Sequence, residues 1–137
     1  MHSVTQLFSH SFGRTLYICL RRNQITMRHI ESGREKTLNA GVSFSNVRLL
    51  VAQSTLVTRL MKEGMQSVLP GFGLAPVIVM HPLEMIEDGL SEVEEKSLTE
   101  IGYVLGARQV VVVTGPVLSD QQVTLAAANK YAARKTA

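Results

Sequence analysis

The sequence has no tryptophan and one cysteine in 137 residues. A single thiol excludes an internal disulfide and fits a reducing compartment. Cys19 lies in an apolar, β-rich run, TLYICL, which suits a buried and inert thiol better than a nucleophile. Aromatic residues are scarce, at 5%. No aromatic platform or binding motif accompanies the basic segment, so nucleic acid is not the expected partner. No apolar run approaches the roughly 20 residues that a spanning helix needs. The opening MHSVTQLFSHSFGR also lacks the apolar centre of a secretory signal. The expectation is a soluble, cytoplasmic protein without membrane insertion. His2, His10, His29 and His81 stand at no recognised ligand spacing with Cys or Asp, so neither a metal site nor a cofactor is expected.

What is present points to one globular domain. A chain of this length usually forms one, and its hydrophobic share of 45% is ordinary for a folded core. The net charge of +3 hides a polarity along the chain. Arg14, Arg21, Arg22, Arg28, Arg34 and Lys36 crowd one segment against Glu31 and Glu35. Glu84, Glu87, Asp88, Glu92, Glu94, Glu95 and Glu100 crowd another against Lys96. Mixed charged faces mainly keep a domain soluble. A dipolar chain also suits docking between two copies, or onto a partner of mixed charge.

Residues 1–13 show no sustained period and are expected to form a flexible tail, with a single domain over 14–137. TLYICL reads as a strand covered on both faces. RRNQ is a tight turn in which Asn23 tolerates positive φ. QITMRHI alternates, with Ile25, Met27 and His29 on one side, and REKTL starts a third strand. NAGVSFSN, 39–46, reads as a loop. A helix is expected from near Ser54 to Leu69, with Met61 and Met65 in the core rather than in a docking stripe. LPGFGLAP is punctuation, PVIVM (76–80) a central strand and HPLEMIEDG an acidic loop. Ser91 and Glu94 have capping-box spacing for a second helix, which Gly106 stops. Gln109 to Thr114 is a valine-rich strand, and a last helix starts near Asp120. Strand, helix, strand with short joins makes a right-handed parallel crossover. The order β-β-β-α-β-α-β-α gives an α/β fold with a mixed five-stranded sheet, order 3-2-1-4-5, and helices on both faces. This layout resembles a ribonuclease H-like or actin-like half-domain.

Two resemblances follow from particular residues. VIVMHPLE and GLSEVEEKSLTEIGYVLGARQVVVVTGPVL, with Val93-Glu94, Gly106-Ala107-Arg108 and the next β run, resemble the N-terminal half of the bacterial actin MreB. LYICLRRNQIT, FSNVRLL, LEMIEDGLSEVEE and VLSD resemble, in order, the YjaA-like family of uncharacterised bacterial proteins. That family carries no activity to transfer. The actin resemblance implies an Asp-x-Gly-Thr phosphate turn before the first hairpin, but Ser9, Ser11 and Phe12 stand at those positions. The Glu-Glu-Pro that would position an attacking water is replaced by Thr114-Gly115-Pro116. Without the carboxylate a magnesium phosphate loses an anchor. The reading is a scaffold without catalytic residues.

Other candidate chemistry is thin. Gly71-Phe72-Gly73 lacks the rest of a phosphate loop. Glu94 and Glu95 at a helix start suit capping and dipole compensation. Arg21 and Arg22 at a hairpin tip, with Arg28 beside them, form the candidate partner-binding patch, through bidentate contacts to carboxylates. The expected function is therefore non-catalytic: self-association as a homo-oligomer, or docking on a bacterial actin or envelope-associated partner, in cell shape or stress. The alternative is a small-ligand or phosphate-binding protein, or an enzyme, using a cleft near His81, Glu84 and Thr114.

Overall fold

The computed structural model describes residues 14–39, 54–69, 71, 74–84 and 89–136. The expected tail, the loop after residue 39, Phe72-Gly73 and the centre of the acidic loop lie outside them. Among the described residues the chain runs β1 (Thr15–Arg21), β2 (Gln24–His29), β3 (Glu35–Asn39), α1 (Ser54–Val68), β4 (Val77–Pro82), α2 (Glu92–Val104), β5 (Gln109–Val112) and α3 (Asp120–Thr136). The sheet has the order β3-β2-β1-β4-β5, with a β1–β2–β3 antiparallel meander and β4 and β5 parallel to β1.

β1 is the middle of the molecule because its side chains are apolar on both faces. Leu16, Ile18 and Leu20 point into a core with Ile25, Met27, Ile78 and Met80, closed by Val57 and Met61 of α1 and by Leu98 and Ile101 of α2. Each fully buried aliphatic side chain contributes about 1.5–3 kcal/mol. Tyr17 and Cys19 point the other way and meet Val79, Val111 and Val123 under α3. Two helices therefore cover one face of the sheet, and α3 covers part of the other. The hairpin turns at Asn23, which sits at φ +54° in the left-handed region that asparagine tolerates.

The helix starts follow local chemistry. Ser91 Oγ accepts the Glu94 N–H at 3.1 Å, and Glu94 reaches back to the Ser91 N–H at 3.3 Å. Ser119 and Gln122 repeat the device before α3, with N–H to Oε1 at 2.8 Å and the return bond at 3.2 Å. Two glycines set helix-to-sheet distance. A Cβ on Gly64 would strike Met27 and Leu38, and one on Gly102 would strike Val110.

Two strands differ from the sequence expectation. β4 runs to Pro82 rather than ending at residue 80, so His81 lies inside the sheet, in register with Cys19. The ladder continues because β1 extends alongside it, and Leu20 C=O takes the Leu83 N–H past the proline. β5 stops at Val112 rather than Thr114. Its last ladder bond runs from Val113 N–H to Met80 O at 2.9 Å, after which the chain turns away at Gly115, φ +103°.

Candidate functional site

The odd-numbered side chains of β1 bring Tyr17, Cys19 and Arg21 to the α3 face, and β4 sets His81 beside Cys19. His81 is wholly buried. Its Nδ1 lies 2.6 Å from Tyr17 Oη, and its Nε2 lies 2.8 Å from the Gly115 carbonyl oxygen. A carbonyl can only accept, so Nε2 carries the proton. Burial pushes the His81 pKa below 6.5, against the opposing pull of the Gly115 carbonyl. The ring is then neutral, Nδ1 accepts, and the Tyr17 hydroxyl donates to it. Tyr17 Oη in turn accepts the Leu118 N–H at 3.0 Å. The chain of bonds from Leu118 through Tyr17 and His81 to Gly115 pins the β5–α3 loop to the sheet. Burial raises the Tyr17 phenol, and it also raises the Cys19 thiol. Both groups are neutral at ordinary pH.

The three candidate arginines separate. Arg28 grips Asp120 with both arms of its fork, Nε to Oδ1 at 2.8 Å and Nη2 to Oδ2 at 2.9 Å, and its Nη1 donates to Gly33 O at 3.0 Å. The Arg28 guanidinium holds the Asp120 carboxyl below its usual range. Arg28 is thus committed to closing α3 onto the meander. Arg21 projects into a cavity of about 380 Å³ bounded by Thr26, Arg28, Glu35, Ser119 and Asp120. Arg22 is exposed on the turn, and its backbone N–H donates to Glu84 Oε1 at 2.9 Å.

The residues expected around a His81 cleft are not assembled. His81 is turned inward, Glu84 closes on the Arg22 backbone, and Thr114 is exposed beyond the end of β5. His81 lies within β4 rather than in the loop expected after residue 80, because the ladder to β1 runs on through Pro82. Tyr17, Ser119 and Asp120 were missed. The signals for them were the two-residue alternation through Tyr17, Cys19 and Arg21, and the capping spacing of Ser119 and Gln122. His29, also buried, bonds Ser32 Oγ at 2.7 Å and approaches Glu31 at 3.3 Å, holding the β2–β3 turn. Among the described residues no three His, Cys, Asp or Glu side chains converge as a metal site, and no helix is long and apolar enough to cross a membrane.

No protein-family model matches the chain. It is 40% identical over 93 residues to the uncharacterized protein YjaA of Escherichia coli strain K12, an alignment covering 63% of this chain and 72% of YjaA. The chain belongs to the YjaA family. The family likeness carried by LYICLRRNQIT and the segments that follow it is therefore real kinship. The likeness to MreB gains no support from these comparisons. Kinship with YjaA brings no activity, so the reading of function rests on the geometry.

Proposed function

We propose that this YjaA-family chain is a non-catalytic domain, on a ribonuclease H-like or actin-like half-domain scaffold, that works through contacts with other proteins. The observation that carries the reading is the commitment of His81. Among the described residues the histidine near the exit of the parallel strands is buried, and both its ring nitrogens are bonded within the fold. A general base must reach the proton it abstracts. This imidazole serves instead as a strut. Strand geometry supports contact with a partner. β3 pairs only with β2 among the described residues, and strand edges recruit partners unless protected. The partner is a second copy, or a bacterial actin or envelope-associated protein, in the cytoplasm.

A second reading has its own observation. The cavity beside Arg21 lies toward the carboxyl ends of the parallel strands, where α/β folds hold ligands. A small carboxylate or phosphate fits its chemistry. Thermal shift against ATP, GTP and inorganic phosphate separates the two. A ligand at about 100 times its dissociation constant adds roughly 2.7 kcal/mol. The contact reading expects no shift, together with a change in sedimentation on concentration or on mixing with a purified bacterial actin. A clear shift that is lost in Arg21→Ala, with no association in either arm, overturns it.

A further inference from the structure

The face of α1 and α2 carries charge in a pattern that matches itself. Both helices lead into parallel strands, so they run side by side in one direction, with a groove of about 500 Å³ between them. One wall bears Arg59 and Lys62 of α1, and the other bears Ser97, Glu100 and Val104 of α2. Among the described residues Arg59 and Lys62 form no ion pair with Glu100. Beyond Glu100, the outer side of α2 bears Glu92 and Glu95, with Lys96 among them, and remains net acidic. Val104 is 64% exposed in the groove wall, and Val93 is 71% exposed on the same helical stripe, eleven positions earlier. The α1 side also exposes Glu63, so the surface is a net basic strip beside a net acidic one, with exposed valines on the α2 side.

We propose that this two-helix face is an interface for a second copy of the chain, related by a two-fold axis running along the groove. That axis turns each protomer so that α1 of one lies over α2 of the other. Arg59 and Lys62 then meet the Glu100 and Glu95 side of the second copy, twice, as a closed isologous contact requires. A partner with one sign of charge would satisfy one strip and oppose the other, which is why the second copy fits best. The inference rests on the contact reading above and names its partner. Helices of 15 and 13 residues are about 20 Å long, and packed neighbours about 10 Å apart present a face of similar width. That is roughly 400 Å² a side, about half of what standard stable interfaces bury per partner. The dimer is accordingly weak and sensitive to salt.

Sedimentation equilibrium on the full chain up to about 1 mM tests this. The expected result is a monomer–dimer equilibrium in low salt. Arg59→Glu/Lys62→Glu and Glu95→Lys/Glu100→Lys, each alone, weaken it by about tenfold or more, and mixing the two variants restores a heterodimer. Wild type that stays monomeric throughout overturns the proposal. So does association unchanged by either reversal, which removes this face and leaves the contact reading standing. Failure of the mixture to associate overturns the cross-paired arrangement. Monomeric wild type that binds only a different protein through Arg59 and Lys62 overturns the second copy as occupant.

Discussion

Tyr17 and His81 account for much of what individual residues do here. Tyr17→Phe removes the hydroxyl that both accepts from Leu118 and donates to His81, leaving a buried ring nitrogen without a partner. A loss of about 1–3 kcal/mol is expected in chemical denaturation, with the fold retained. His81 also sets a pH dependence. Burial lowers its pKa below 6.5, so on acidification the unfolded chain takes up this proton first. The stability it confers is complete above that value and is lost as pH falls from there toward the folded-state pKa, with a slope of up to about 1.4 kcal/mol per pH unit. His81→Gln should flatten that part of the stability–pH curve, and an unchanged slope would remove His81 as its source. Cys19 is buried and its thiol is raised by that burial, so alkylation by iodoacetamide should be slow in the native protein and fast in urea.

Elements were more legible than partnerships between them. The starts of α1, α2 and α3 follow from the helical period at Ser54, the Ser91–Glu94 box and the Asp120 region, and the meander follows from alternation in QITMRHI. The strand ends at Pro82 and Val112 differ from the sequence expectation, and local sequence does not set them. β4 lengthens because β1 offers it a ladder, and past Val113 the β5 chain turns away toward Gly115, whose carbonyl bonds His81. The pairing of Arg28 with Asp120 spans more than ninety positions, and no local pattern reveals it. The close approach of α2 to β5 was likewise invisible, although it depends on Gly102. A Cβ there meets the side chain of Val110. Gly102→Ala gains helix propensity but forces the layers apart, and a net loss of about 1–3 kcal/mol is expected from thermal unfolding. A companion Val110→Ala change should recover part of it.

At the scale of the molecule, one sheet separates two different surfaces. Behind α1 and α2 lies the larger core, and that face presents complementary charge outward. Over the other face α3 has a single fully buried side chain among those described, Val123, and is fastened by the Arg28–Asp120 clasp and the Tyr17–His81 bonds around it. The proposed contact role rests on side chains such as His81 and Arg28 being bonded within the frame. Nitrogen-15 NMR of the whole labelled protein tests that most directly, following the His81 ring while pH is lowered and magnesium ATP is added. The expected result is a neutral imidazole protonated on Nε2, no titration near pH 6.5 and no response to nucleotide. An His81 ring that titrates like a free histidine, or that moves on binding nucleotide, would contradict it.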